Sequence, residues 1–189
     1  MIAGTQGYKR FTELFIESSQ ALDFNVACKD FLGLLPTGPA SILDIGTGAG
    51  QNAAALANLG HRVTAVEPMP EFLSSAQTTY KSLNVKWLND SLPELTCISP
   101  NDPNFDFVLI NAVWHHLNEV EREFAATRLS ALIKPEGRCA ISLRNGPAGV
   151  GTRVYPTDSH ITIKQFKAKG FNCILHLQDQ PSIYSHKKD

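Results

Sequence analysis

Residues 43–51 read LDIGTGAGQ, the densest cluster of glycine in the chain, between an apolar run and the helix-forming stretch NAAALA. A glycine-rich turn that joins a strand to a helix limits the available folds. The strand has to feed a helix that packs back on a sheet, and the turn is a place where backbone comes close to a ligand.

The remaining pattern agrees with that start. Residues 41–45 read as a buried strand and 51–59 as a helix closed by Gly60. Strands are expected at 62–66, 85–88, 105–111 and 138–143. Helices are expected from Pro70 to about Leu83, from Asn118 to about Ile133, and over 157–169 up to Gly170. Asn118 with Glu121 three residues later has the form of a reciprocal cap. Two further strand candidates, 171–177 and 182–185, complete the count. Alternation of strand and helix predicts an α/β fold, doubly wound, with a mostly parallel seven-stranded sheet covered on both faces. Before it, Phe11, Leu14, Phe15, Phe24, Ala27, Cys28, Phe31 and Leu32 recur at helical spacing until Pro36-Thr37-Gly38-Pro39 breaks the chain. The expected organisation is a single domain over 1–189, with an N-terminal helical cap (1–39) and an α/β core (40–189).

Composition narrows the partners. With 43% hydrophobic and 19% charged residues in 189 positions, the chain can bury one core. Its net charge of −1 leaves no electrostatic footprint for nucleic acid, and no apolar run has the length of a membrane span. The four cysteines are widely spaced, without the clustering that metal ligation or a disulfide framework requires, so no metal is expected and a reduced, cytoplasmic setting is.

The turn could serve a dinucleotide or another adenosyl compound. A dinucleotide turn G-x-G-x-x-G starting at Gly46 needs glycine at position 51, and this chain has Gln51. Asp44 lies two residues before Gly46, and a carboxylate there repels a pyrophosphate but attracts a sulfonium and an ammonium. The acid therefore favours S-adenosylmethionine, and a nicotinamide oxidoreductase ranks well behind.

At this point SILDIGTGAG resembles motif I of the class I S-adenosylmethionine-dependent methyltransferases, of the small-molecule type. HRVTAVEP resembles their second strand, VKWLNDSLPEL the third with its loop, FDFVLINAVWHHL the fourth, and LIKPEGRCAIS the turn into the fifth. That turn is usually K-P-G-G, and Glu136 replaces the first of its glycines. The likeness implies a Rossmann-like methyltransferase fold over roughly residues 40 to 145. It also implies a cofactor site made of Asp44, Gly46, Thr47, Gly48 and Gly50, with Glu67 (beside Pro68) on the ribose hydroxyls. Asp90, with Ser91, falls where the adenine amino group is read, and Asn111 is a candidate for the methionine end. Read alone, Asp90 could instead cap a short turn at 91–95, and Asn111 could satisfy the strand terminus.

Methyl transfer is mainly a matter of orientation, with a general base useful for a hydroxyl or ammonium acceptor. His116, after the fourth strand, is the candidate base, with buttressing of the following helix as its other reading. Trp114 is either core or pocket wall, and Tyr8 could close the site. Arg144, Asn145 and Arg153 are available to an anionic substrate or to solvent. The chain is little larger than the core fold and lacks N-P-P-Y or D-P-P-Y, so the expected acceptor is a small molecule, with the oligomeric state open. A second reading is a non-catalytic S-adenosylmethionine-binding module that acts through a protein partner.

Overall fold

A computed structural model of the chain describes residues 4–99, 105–144 and 151–180. Five strands, β1 (Ser41–Ile45), β2 (Arg62–Val66), β3 (Val85–Leu88), β4 (Phe105–Ile110) and β5 (Ile133–Ile141), form one sheet in the order β3-β2-β1-β4-β5. All four pairings are parallel. Six α-helices accompany them: α1 (Thr12–Gln20), α2 (Phe24–Ala27), α3 (Gln51–Asn58), α4 (Pro70–Thr79), α5 (Glu119–Leu132) and α6 (Ser159–Lys167).

Both faces of the sheet are covered, which is why β1 is buried at every position. Ile42, Val63, Ala65, Phe107 and Leu109 pack towards Phe24 and Cys28 in the α2 region and Leu56 of α3. Leu43, Ile45, Val66, Val108 and Ile110 face the other way, onto Ala125, Leu129 and Leu132 of α5 and Phe166 of α6. In register, Ile45 lies level with Val66 on one side and Ile110 on the other. The loops that follow β1, β2 and β4 therefore leave the sheet along one edge. Strand order reverses between β1 and β4, so these loops meet where open α/β sheets hold their ligands.

The expected sheet of seven strands is corrected to five among the described residues. The candidate at 182–185 lies outside them. Residues 171–177 are described and pair with no strand. Gly170, at φ 91, turns the chain back, and the Phe171 N–H donates to the Phe166 carbonyl at 3.1 Å. The segment then returns along α6, through a Phe166–Phe171 ring contact, a His160–His176 ring contact and a bond from the Gln178 amide to the Ser159 hydroxyl. Its alternation is that of a strand, with Phe171, Cys173, Leu175 and Leu177 on one side, yet Cys173, Leu175 and Leu177 are exposed, so no sheet covers that face. The N-terminal helical expectation divides into a 3₁₀ turn (Tyr8–Phe11), α1, α2 and a second 3₁₀ turn (Leu32–Leu34), all short.

The cap predicted at the start of α5 is present. The Asn118 side chain accepts from the Glu121 N–H at 2.9 Å, and the Glu121 carboxylate accepts from the Asn118 N–H at 2.7 Å. The expected strand 138–143 begins earlier, at Ile133, and ends at Ile141, with a break in register between Phe105 and Phe107 that absorbs the turn at 134–137. In that turn Glu136 has φ 66, while a Cβ on Gly137 would meet the Lys134 and Phe105 carbonyl oxygens at 2.9 and 3.0 Å. The two neighbouring positions should therefore respond in opposite directions. Glu136→Gly relieves a left-handed non-glycine residue and should leave stability equal or raise it by up to about 1 kcal/mol. Gly137→Ala drives a methyl into backbone and should cost about 1–3 kcal/mol. Urea denaturation of the two variants checks both signs.

Candidate active site

The loop after β1 is built around a buried acid. Asp44 is 1% exposed, and its Oδ2 accepts from the Thr47 hydroxyl at 2.6 Å. The N–H groups of Gly46 and Thr47 both donate to the Val66 carbonyl, at 2.8 and 3.0 Å, which folds the turn onto the end of β2. Gly46, Gly48 and Gly50 all have positive φ. A Cβ at Gly46 would collide with the Val113 side chain, and one at Gly50 would meet Ala76 and Trp87 at 2.8 Å. Glycine is thus required here by both conformation and space. Over Gly48 lies the Phe15 ring of α1, itself stacked on Phe72 of α4 with centroids 4.6 Å apart.

Glu67, directly after β2, completes the carboxylate pair. Its Oε2 accepts from the Gly48 N–H at 2.8 Å and its Oε1 from the Met69 N–H at 2.9 Å. Asn89, which the sequence reading missed, donates its amide to the carbonyls of Glu67 and Pro68 at 3.0 and 3.2 Å and pins the end of β2. Its only sequence signal was its place one residue before Asp90. Burial pushes the Asp44 carboxyl up to about 6 against its bond from Thr47. Burial likewise pushes Glu67 up to about 7, against the two backbone donors and with help from the Asp44 charge. Two carboxyls thus sit close together beneath the glycine turn, poised to take up a cation or to accept from hydroxyl groups.

Other expected residues are placed less directly. Asp90 accepts from the N–H groups of Ser91 and Cys97 at 2.8 and 2.6 Å and from the Thr96 hydroxyl at 3.5 Å, so its carboxylate closes the turn over 91–97. Ser91 takes part in it through its backbone. Asn111 Oδ1 accepts from the Ser142 hydroxyl at 2.8 Å, and that hydroxyl in turn accepts from the Ala112 N–H at 2.7 Å. This chain steadies a left-handed residue, Ala112 at φ 59, and aims the following turn back over Gly46.

That turn, a 3₁₀ segment at Trp114–His116, carries the candidate base. Trp114 is core: it is fully buried and its ring packs on Phe166 with centroids 5.7 Å apart. His116 is 8% exposed, with Nδ1 2.8 Å from the Arg153 carbonyl and Nε2 3.0 Å from the Tyr8 hydroxyl. Burial, together with the nearby Arg144 and Arg153 charges, holds its pKa below the ordinary histidine value despite the bond to Arg153. Arg153 is committed to the protein itself, donating to the His116 carbonyl and to both Glu121 oxygens at 2.9 Å. Arg144 pairs through its backbone with Thr157, and Asn145 lies outside the described residues. A further residue unmarked in the sequence is Arg122, whose guanidinium reaches the carbonyls of Trp114, Tyr155 and Pro156 and so joins the 114–116 turn to the 155–156 segment. In sequence it reads as a surface charge of α5. Beside this segment is an open cavity of about 410 Å³ lined by Gln6, Thr152, Arg153, Val154 and Tyr155. Among the described residues no cluster of metal-ligating side chains occurs and no helix is long and apolar enough to cross a membrane.

The profile of the methyltransferase domain family matches residues 42–137, the stretch from β1 to the turn within β5, and the chain belongs to that family. An uncharacterised methyltransferase of Mycobacterium tuberculosis is 36% identical over 119 residues, 60% of this chain and 58% of that protein. The match thus spans less than two thirds of the relative's length. A ubiquinone biosynthesis O-methyltransferase of Rickettsia akari is 34% identical over 106 residues, 55% of this chain and 40% of that one. Among solved structures, the magnesium protoporphyrin IX methyltransferase of Synechocystis PCC 6803 with bound S-adenosylmethionine superimposes with a TM-score of 0.64 at 18% identity, covering 97% of this chain and 81% of that one. A TehB-like methyltransferase of Corynebacterium glutamicum gives 0.63 at 19% identity, covering 85% and 83%. At such identities the likeness establishes the Rossmann-like fold.

The raised carboxyls have a thermodynamic consequence. Glu67 moves from an ordinary 4.5 to about 7, so between those values the folded protein binds its proton more tightly than the unfolded chain does. Stability from this group is then lost as pH rises through about 7. His61 and His116, both lowered by burial, act in the opposite sense, but equally in wild type and variant. The stability difference between wild type and Glu67→Gln should therefore shift in the variant's favour between pH 5 and 8, by up to about 3 kcal/mol. Thermal denaturation across that range measures the shift.

Proposed function

We propose that the chain is an S-adenosylmethionine-dependent methyltransferase acting on a small-molecule acceptor. The observation that carries this reading is the carboxylate pair: Asp44 and Glu67 are buried together under a turn whose three glycines all have positive φ, at the switch point of a parallel sheet. A cofactor with a cationic tail and an adenosyl group bearing ribose hydroxyls matches those acceptors and charges, whereas a pyrophosphate would face two buried acids. Gly46, Thr47, Gly48 and Gly50 would line the cofactor, Asp44 would attract its cationic end, and Glu67 with Pro68 would receive the ribose. Bound S-adenosylmethionine supplies a methyl group already activated by its sulfonium. The chain's part is then to orient the acceptor, exclude water and manage a proton.

His116 is the residue proposed for the proton, being buried in the turn that follows β4 and bonded through Nε2 to the Tyr8 hydroxyl. Residues 1–39 are read as a cap on a core of 40–189, supported by Phe15 against Gly48 and by the bonds from the Gln20 amide to the Ala49 carbonyl and the Thr79 hydroxyl. The net charge of −1 supports a non-nucleic-acid acceptor, and four free thiols support a reduced, cytoplasmic setting. Titration calorimetry tests the assignment: wild type should bind S-adenosylmethionine, and the absence of heat at high micromolar concentration would sink the reading. Asp44→Ala and Glu67→Ala should each weaken binding by about 1.5–3 kcal/mol, the scale of hydrogen bonds to charged groups.

A further inference from the structure

Tyr8 stands across the crevice. Gly7, in the left-handed region at φ 92, starts the 3₁₀ turn that presents it, and the Thr152 N–H fastens the preceding strand of chain by donating to the Gln6 carbonyl at 2.9 Å. The Tyr8 ring meets Phe15 and Phe72 edge-on, at 5.3 and 6.0 Å, on the glycine-turn side. Its hydroxyl reaches the β4 side, 3.0 Å from His116 Nε2. Tyr8 therefore spans from the roof of the glycine turn to the candidate base.

The proton positions in this pair follow from the third member. A backbone carbonyl can only accept, so at 2.8 Å from the Arg153 oxygen His116 Nδ1 carries the hydrogen. In neutral imidazole Nε2 is then the acceptor, and Tyr8 must be the donor. The arrangement is rigid. Arg153 binds the His116 carbonyl as well as its ring, Glu121 holds Arg153 through both oxygens, and the cap of α5 holds Glu121. Behind the pair the chain is packed tightly: a Cβ on Gly151 would meet His116 Cε1 and Tyr8 Cε2, both at 2.7 Å.

Resting on the methyltransferase reading, we propose that Tyr8 is a catalytic residue that relays a proton from the acceptor to His116, and that the acceptor is a neutral hydroxyl. With its hydrogen committed to Nε2, the phenol oxygen offers lone pairs, and so meets a donor rather than a carboxylate or thiolate. In the step, the acceptor oxygen forms a bond to the methyl carbon while the methyl–sulfur bond breaks, its electron pair returning to sulfur. The acceptor's proton moves to the Tyr8 oxygen as the Tyr8 proton moves to Nε2, and the imidazolium then releases one proton to solvent. The products are a methyl ether, S-adenosylhomocysteine and that proton.

Ring-¹⁵N histidine spectra of the full chain with S-adenosylhomocysteine test the relay, with His116 assigned by its loss in His116→Gln. Wild type should show the Nδ1–H tautomer, and Tyr8→Phe should move Nε2 to the position of an unbonded imine nitrogen. An Nε2–H tautomer, or an Nε2 signal unmoved in Tyr8→Phe, overturns the proposal. A matched set of probes (phenol, benzyl alcohol, benzylamine, benzoate and thiophenol) is then assayed for S-adenosylhomocysteine release. Turnover confined to the hydroxyl compounds, with kcat falling about 100-fold in Tyr8→Phe and KM nearly constant, supports it. Turnover of benzoate or thiophenol, or equal turnover by Tyr8→Phe, overturns it. Calorimetry separates the two levels: failure of wild type to bind S-adenosylhomocysteine rejects the methyltransferase reading itself, whereas Tyr8→Phe should bind it like wild type.

Discussion

The bond network at Glu67 is the constraint on which the site depends. One carboxylate, at the end of β2, accepts from an N–H in the turn after β1 and from another at the approach to α4. It thereby fixes the distance between two crossover loops that share no sequence neighbourhood. Burying that charge is unfavourable and pushes its pKa upward, against the two backbone N–H groups that favour the charged form. A pair of acids kept close under a glycine turn is hard to explain as a stabilising device, because apolar residues would pack there at lower cost. It is readily explained as a receptor for a cation and hydroxyl groups.

A second layer of order surrounds the candidate base. Ser142 and Asn111 set the exit from β4, Arg122 ties the 114–116 turn to the 155–156 segment, and Arg153 with Glu121 holds His116 in place. None of these side chains needs to touch a ligand to matter. Each removes freedom from the candidate base or from the turn that carries it, so that orientation is set within the fold itself.

Much of this was legible in the sequence, because the signals were local. The glycine turn, Asp44, Glu67 and the Asn118–Glu121 cap are short patterns whose physics is complete within a few residues. What escaped was set by tertiary packing. Arg122 reads as an ordinary helix-surface charge until the 155–156 segment is seen folded against it. Arg153 reads as free for a substrate until Glu121 is found beside it. The strand expected at 171–177 has a strand's alternation, with Phe171, Cys173, Leu175 and Leu177 on one face, but the turn at Gly170 sends it along α6 instead of the sheet, which no local pattern foretells. Asp90 was ambiguous from the outset, since one carboxylate can cap a turn or read a base, and the Cys97 amide it accepts from comes into reach only once the 91–97 loop is folded.

The contact between Tyr8 and His116 joins residues 108 positions apart, and Gln6 waits for Thr152 further still. The two residues of each contact therefore leave the ribosome far apart in time, and this part of the site is among the last to form. The sheet can assemble from neighbouring units while this end remains undocked, and loop-closure entropy makes its docking a late event. Competence for chemistry would accordingly be reached after the fold itself, when Gln6 and Tyr8 find Thr152 and His116.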